Sequence, residues 1–326
     1  MTNFGDFPPS DNSTNDSATD GNAWERKVIH DLAFAAIKEQ RSSRRWSYVF
    51  KGFILLYLVA VMVMATSNND IRAYTEQHTA LVEINGVIAA DADANADSIV
   101  TGLRDAFDNQ QAQGLIIRLN TPGGSPVQSG IINDEIKRLK TTRPDFPVYA
   151  VIQDVCASGG YYIAVSAQEI YADKASIVGS IGVRMDSFGF TDTIAKLGVE
   201  RRSITAGANK AFLDPFLPMK DKDIQHAHNM LNNIHQQFIN VVKEGRGDRL
   251  ADNPDLFSGL FWSGEQALPL GLIDGLANSS TVARDKIGAE KIVNYTPQPN
   301  YLDQFTGRFG ASISQALVNL STTTIQ

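Results

Sequence analysis

Short apolar runs alternate with amphipathic helical patterns between residues 79 and 174, and this alternation constrains the fold more than any other feature of the chain. The runs expected to be strands are TALVEINGVIA, GLIIRLN, FPVYAVI and EIYADK, and the intervening helical patterns are ADSIVTGLRDAFDN, SPVQSGIINDEIKRLK and SGGYYIAVSA. Strands joined by helical crossovers run parallel in one sheet. We therefore predict an α/β domain whose functional residues lie at the carboxyl ends of its strands.

Local sequence signals predict where three helices begin or end. One helix is predicted to start at Ser125, where serine can cap it and Pro126 fits its first turn. A long helix is predicted over residues 221–243, and a shorter one, ended by a glycine turn, within FWSGEQALPLGLIDGL. The polar stretch after about Tyr295 is expected to be loosely attached, and the chain contains no internal repeat.

An uncharged stretch, GFILLYLVAVMVMAT, covers residues 52–66 and follows four basic residues between positions 41 and 51. About 20 apolar residues span a bilayer, and the flanking Trp46 and Tyr48 can extend this stretch into the interface. A cleaved signal peptide would also be basic and then apolar, but it would start near the N-terminus. We therefore predict one retained transmembrane helix, with the basic N-terminal side in the cytoplasm.

These patterns divide the chain into five expected regions. A polar stretch up to about residue 22 has little to bury, and residues 24–40 have the spacing of an amphipathic helix. The predicted regions are a partly disordered cytoplasmic tail (1–45), a transmembrane anchor (46–67), a linker (68–79), a catalytic domain (80–280) and a C-terminal extension (281–326).

Composition excludes several classes of function. A formal net charge of −7 argues against a nucleic-acid-binding face, which would be basic. Cys156 is the single cysteine, so the chain can form neither an internal disulfide nor a thiolate-rich metal site. No ligand spacing indicates a metal or another cofactor, and we expect none.

Two strand-to-helix corners carry glycine pairs, in LNTPGGSP and VCASGGYY. Backbone amides at such corners point toward the N-terminus of the following helix, where an anion is stabilised. Donors from Gly123 or Gly124 and from Gly159 could form an oxyanion hole beside Ser158. A structural turn, or a serine that caps a helix between packing glycines, would have the same local sequence.

A serine nucleophile needs a base, and the chain offers histidines and a lysine. His226, His228 and His235 all lie on the helix over 221–243, which is rich in Asn and Gln and is expected to be solvated. Lys210 in AGANK follows a predicted strand over 202–205 and has small and apolar neighbours. A lysine acts as a base only when its amine is neutral, which an apolar pocket favours.

Five motifs together resemble the signal peptide peptidase SppA family of membrane-anchored serine proteases. They are LNTPGG, DVCASGGYYIAVSA, SIVGSIGV, AGANK and FSGLFWSGEQALPLGLIDGL, and the resemblance covers about residues 81–276. The resemblance is to the short form with one copy of the domain, and it implies a ClpP/crotonase-type fold of repeated ββα units. Thr121 stands where that family often has serine, which keeps a hydroxyl at this position.

The resemblance also implies roles for individual residues. Ser158 would be the nucleophile, Lys210 the general base, and Ser180 a hydroxyl that orients the lysine amine. Gly123, Gly124 and Gly159 would then supply the oxyanion hole.

The implied function is a serine endopeptidase that cleaves remnant signal peptides and other short apolar peptides after secretion. The anchor would hold it in the bacterial inner membrane, with its N-terminus inside and its catalytic domain on the extracytoplasmic side. The serine and lysine lie in different repeats of two-copy relatives, so we expect a single-copy chain to complete its site between subunits of a homo-oligomeric ring.

Two other functions remain open at this point. A crotonase-like acyl-CoA enzyme would share the fold and use paired amides on a thioester oxygen, but the anchor and Lys210 disfavour it. A non-catalytic membrane scaffold or chaperone would need neither Ser158 nor Lys210.

Overall fold

A computed structural model of the protein describes residues 27–28, 46–61 and 75–297. The chain divides into two compact units, Met1–Ile71 and Arg72–Gln326.

In the first unit, residues 46–61 form a helix, α1, with exposed side chains. Among the described residues, no helix is both long and apolar enough to cross a membrane. The predicted anchor extends to residue 67, and its residues 62–67 lie outside the described part of the chain. Most of the predicted tail (1–45), most of the linker (68–79) and the end of the C-terminal extension lie outside it as well.

The second unit is built on one eight-stranded sheet. Its strands are β1 (His78–Asn85), β2 (Ala112–Thr121), β3 (Val148–Ala157), β4 (Glu169–Ala172), β5 (Ile177–Gly179), β6 (Phe261–Ser263), β7 (Gly275–Leu276) and β8 (Ile292–Asn294). The strand order is β6-β5-β3-β2-β1-β8, and β4 pairs with both β3 and β7. Each of these pairings is parallel except β5–β6, so the predicted α/β class with a parallel sheet is confirmed.

The helices connect the strands, and all except α5, which has no buried residue, bury side chains in this unit. They are α2 (Ala96–Asp108), α3 (Pro126–Thr142), α4 (Gly159–Ala164), α5 (Thr191–Lys196), α6 (Asp221–Arg246), α7 (Gly264–Ala267) and α8 (Ser279–Val282). The predicted start of α3 is confirmed, because the Ser125 side chain accepts a hydrogen bond from the Gln128 amide and Pro126 opens the helix. The short helix predicted in the FWSGEQ motif is α7, which Ser263 and Gln266 cap reciprocally.

Strand β2 shows why the centre of the sheet is stable. Leu115, Ile117 and Leu119 are fully buried in the main core, whereas Ile116 is fully buried in a second cluster with Leu81. Successive side chains of a strand point to opposite faces, so both faces of this strand are covered. That is typical of a parallel sheet between two layers.

The sheet continues past residue 280, where the sequence places the end of the catalytic domain. Strand β8 pairs with β1 in parallel, and the Tyr295 amide donates to the Leu81 carbonyl over 2.8 Å. The Tyr295 hydroxyl lies 2.8 Å from Nε2 of the buried His78. The attached part of the chain therefore includes residues up to Tyr295.

The strand predicted over residues 202–205 is wrong. These residues have no regular secondary structure, and Ile204 is completely exposed. A strand needs a neighbour for its backbone hydrogen bonds, and β6 and β8 form the ends of the main strand order. Residues 184–220, which we call the exposed segment, contain no buried residue.

Candidate active site

The first corner of the site lies between β2 and α3. Gly123 has a φ of 97°, which favours glycine, and a Cβ there would stand 2.7 Å from the Ala157 carbonyl oxygen and 2.8 Å from the Gly159 nitrogen. The Gly123 amide itself donates to Oγ1 of Thr121 over 3.0 Å. This corner therefore packs directly against the next one, and only glycine allows that approach.

The second corner, between β3 and α4, presents Ser158. Its φ is 52°, an unusual backbone conformation for a residue with a side chain. Two backbone hydrogen bonds hold it there: the Ser158 amide donates to the Gly179 carbonyl over 2.9 Å, and the Ser158 carbonyl accepts from the Tyr162 amide over 3.0 Å.

Ser158 occupies the N-cap position of α4, but its side chain makes no capping hydrogen bond. The interpretation of Ser158 as an ordinary helix cap therefore does not fit. The hydroxyl is half-buried and is left available, on a backbone whose strain the neighbouring hydrogen bonds maintain.

Ser180 lies beside Ser158 because their strands are neighbours. Strand β5 pairs in parallel with the end of β3, with Gly179 opposite Ala157, so the following residue of each strand lies at the same edge of the sheet. Ser180 also has a positive φ, 53°, and its amide donates to the Leu260 carbonyl over 2.7 Å.

These two serines open into one cavity of about 890 Å³. Five of the six predicted site residues line it: Ser158, Ser180, Gly123, Gly124 and Gly159. Its lining is mixed: apolar side chains include Val87, Tyr162, Val183, Ile234 and Phe238, and polar ones include Ser129, Arg184, His235, Gln237 and Ser258. A concave site with convergent polar groups beside apolar side chains is typical of a ligand-binding site.

Of the three predicted donor glycines, Gly124 and Gly159 have the available amides. The Gly123 amide is used by Thr121, as described above. The Gly159 amide belongs to the first turn of α4, where amides have no partner within the helix. A Cβ on Gly159 would lie 3.2 Å from the Gly124 nitrogen, so these two amides lie close together.

Lys210, the sixth predicted residue, is not among the residues that line this cavity. It lies in a turn of the exposed segment, where its amide donates to the Gly207 carbonyl over 3.2 Å, and its side chain is exposed. The expected apolar pocket around Lys210 is therefore absent within the described part of a single chain, because no core element packs against this turn.

Comparison with known proteins finds peptidases among the proteins that are similar to this chain. Residues 140–292, which include Ser158, Ser180 and Lys210, match the family model described as peptidase family S49. A protein of Enterococcus faecium, provisionally named signal peptide peptidase SppA, is 28% identical over 234 residues, which cover 69% of this chain and 67% of that protein. Protease 4 of Haemophilus influenzae is 31% identical over 225 residues, which cover 66% of this chain and 35% of its own.

The chain is therefore similar to peptidase family S49 and to the SppA-type serine peptidases.

A further match covers part of a much longer protein. Brucella abortus has a protein named Na⁺/H⁺ antiporter NhaA that is 50% identical over 186 residues, covering 57% of this chain. This chain spans only 25% of the length of that relative. The name antiporter was given to that longer protein and says nothing of this chain.

His235 and Ser129 line the cavity as well, although neither is among the predicted site residues. His235 of α6 lies 3.2 Å, through Nε2, from the Ile181 carbonyl oxygen, and since a carbonyl only accepts, this nitrogen carries the proton. The spacing of seven between His228 and His235 indicated a shared helix face, but not that this face meets the site. Ser129, on the first turns of α3, gave no sequence signal.

Proposed function

We propose that this protein is a serine endopeptidase in which Ser158 is the nucleophile and Lys210 the general base. The observation that carries the proposal is the uncapped Ser158 hydroxyl at a strained corner, beside the Gly124 and Gly159 amides and on a cavity lined by apolar and polar side chains. A hydroxyl without a hydrogen bond to the backbone can be deprotonated and can attack, and neighbouring amides can stabilise the oxyanion that forms.

In the proposed reaction, the neutral Lys210 amine takes the Ser158 proton while Oγ bonds to the peptide carbonyl carbon. The carbonyl π electrons move onto oxygen, where the amides of Gly124 and Gly159 donate to it. Collapse of this intermediate expels the amine, which takes the proton from Lys210, and water then releases the acyl group by the same steps. Ser180 would orient the lysine amine.

Lys210 would reach the cavity from a neighbouring subunit. The exposed segment carries large apolar side chains that are strongly exposed in the single chain, including Phe188 at 77% and Leu197 at 73%. Contiguous exposed apolar surface is typical of an interaction site. A homo-oligomeric ring would cover this segment, and the resulting loss of solvent would favour a neutral amine at Lys210.

The proposed substrates are remnant signal peptides and other short apolar segments, which the apolar side chains that line the cavity would suit. We propose further that the sheet and its helices form the ClpP/crotonase-type arrangement of repeated ββα units. We also propose that residues 46–67 anchor the protein in the bacterial inner membrane, with the catalytic domain on the extracytoplasmic side. The anchor would raise the local concentration of such substrates.

The test is hydrolysis of an apolar fluorogenic peptide by the full chain and by Lys210→Ala, with Lys196→Ala, which lies on α5 in the same exposed segment, as a control. We expect Lys210→Ala to lose activity by at least about 1,000-fold and Lys196→Ala to keep it. Full activity of Lys210→Ala would remove the lysine from the mechanism. Thioester hydrolysis by a Ser158→Ala variant would instead favour the acyl-CoA alternative.

A mixing experiment tests where the base comes from. Neither Ser158→Ala nor Lys210→Ala should be active alone, but a co-assembled equal mixture should regain about a quarter of the activity, since that share of sites pairs an intact serine with an intact lysine. No recovery in assembled mixtures would place both groups in the same chain.

A further inference from the structure

Three buried side-chain polar atoms have no hydrogen-bond partner within the described residues: Arg118 Nε, Ser129 Oγ and Asn133 Oδ1. An unpaired buried polar group costs free energy, so each one needs a physical or functional reason. Ser129 alone among these three lines the cavity that contains Ser158. Its side chain has no exposed surface.

The Ser129 hydroxyl lies where the two available amides meet. A Cβ on Gly159 would stand 2.5 Å from Ser129 Oγ and 3.2 Å from the Gly124 nitrogen, so both atoms lie close to the Gly159 backbone. The backbone of Ser129 is fixed by α3, where its amide donates to the Ser125 carbonyl over 3.1 Å. A rigid helix therefore holds an unpaired hydroxyl against the predicted oxyanion hole.

The other two unpaired atoms cannot have this role. Asn133 Oδ1 only accepts hydrogen bonds, and the amide nitrogen of the same side chain already donates to the Tyr162 carbonyl over 2.7 Å. Arg118 lines a different cavity, and its guanidinium pairs with Glu83.

We propose that the Ser129 hydroxyl is a third hydrogen-bond donor to the oxyanion, beside the amides of Gly124 and Gly159. This inference rests on the proposed function. Ser129 neither gains nor loses a proton: its O–H donates to the carbonyl oxygen as the π electrons move onto it and releases that oxygen when the C=O bond reforms. A donor left unpaired in the free enzyme acts most strongly on the transition state, which is the arrangement that raises kcat.

The test compares catalysis with stability in the full chain. Ser129→Ala should lower kcat by about 10- to 100-fold with KM nearly unchanged, because one oxyanion donor is lost. Its melting temperature should stay the same or rise, since no hydrogen bond is broken. Ser129→Cys, with a weaker donor of similar size, should be intermediate in kcat.

Ser166→Ala is the matched control, because Ser166 is also buried but its hydroxyl donates to the Ile163 carbonyl over 2.7 Å. It should lose a few degrees of melting temperature and keep its kcat. If Ser129→Ala behaves like Ser166→Ala, the hydroxyl is structural and the inference is overturned.

Two further measurements separate this inference from the proposed function. A peptidyl boronate, which forms a tetrahedral adduct with a serine, should bind Ser129→Ala about 10-fold more weakly than wild type. The uncleaved peptide should bind Ser158→Ala and the double variant Ser158→Ala/Ser129→Ala equally well. If the wild-type enzyme hydrolyses peptide and reacts with a fluorophosphonate at Ser158, equal boronate affinity of wild type and Ser129→Ala would overturn this inference alone. A wild-type chain that neither hydrolyses peptide nor reacts at Ser158 would overturn both the inference and the proposed function.

Discussion

At the scale of single residues, the site depends on backbone conformations that side chains rarely adopt. Ser158 and Ser180 both have positive φ angles, and each amide is fixed by a hydrogen bond to a carbonyl on a neighbouring strand or loop. Such strain persists where the surroundings impose it, and it is common at functional sites. Here it places two hydroxyls at one edge of the sheet.

Gly123→Ala should damage the site more than the fold. The new methyl group would approach the Gly159 nitrogen and the Ser158 side chain, both 2.8 Å from its position, at a φ that disfavours alanine. We expect kcat/KM to fall by about 100-fold or more and the free energy of unfolding to fall by about 1–3 kcal/mol. Peptide hydrolysis and denaturant unfolding measure the two effects.

Gly130→Ala is the matched control, since a Cβ there has no neighbour within 4 Å and the residue lies inside α3. It should raise the free energy of unfolding by about 1 kcal/mol and leave kcat/KM unchanged. A Gly123→Ala variant that retained wild-type kcat/KM would show that the close approach of the two corners is not required.

At the scale of secondary-structure elements, an ion pair joins the end of α6 to the sheet. Arg246 is nearly inaccessible, with 1% of its side chain exposed, and its Nη1 lies 2.7 Å from Asp274 Oδ2. The same carboxylate accepts from the Ile170 amide at the start of β4 over 2.7 Å. Burial opposes ionisation of Asp274, but the hydrogen bonds from Arg246 and Ile170 outweigh it and lower its pKa.

Asp274→Asn should therefore destabilise the protein by about 3 kcal/mol at neutral pH, because it leaves the Arg246 charge buried without a partner. A carboxylate with a lowered folded pKa contributes stability above its unfolded pKa of about 3.9, and that stability is lost as the pH falls through the folded value. The difference in the free energy of unfolding between wild type and Asp274→Asn should therefore shrink as the pH falls below about 5. Denaturant unfolding at a series of pH values measures this.

The surface pair between Lys137 and Glu244, 2.7 Å apart, provides the comparison. Glu244→Gln removes one charge from an exposed pair and should lower the free energy of unfolding by less than about 1 kcal/mol. If Asp274→Asn lowers the free energy of unfolding by an equally small amount, or by an amount that does not change with pH, the buried pair does not stabilise the fold as described.

Much of this element pattern follows from local sequence. Ser125 and Pro126 define the start of α3, and the apolar runs define strands buried on both faces, because these signals act within a few residues. Contacts between distant segments leave no such signal, which is why His235 and Ser129 were missed at the cavity. The strand predicted before Lys210 failed for a related reason, since Ile204 has no partner element among the described residues of this chain.

At the scale of the whole molecule, the exposed segment supports the proposal that a second copy of the chain completes the site. Ile204 is fully exposed, and Leu197 and Val199 are 73% and 56% exposed, although the core of the same unit is densely buried. Leaving such side chains in water forgoes the free energy that burial would supply. A second copy of the chain that covers this surface would recover that energy and bring Lys210 to a cavity that already contains the other predicted site residues.

Leu197→Asp combined with Ile204→Asp should weaken assembly and activity together, because two charges would have to be buried at the proposed interface. Sedimentation velocity should show a shift toward the monomer, and peptidase activity should fall in proportion to the assembled fraction. Leu268→Asp, which adds a charge at a residue that is 39% exposed outside this segment, should alter neither. If the double variant assembles as wild type does, the exposed segment is not the interface, and Lys210 must reach Ser158 by movement within its own chain.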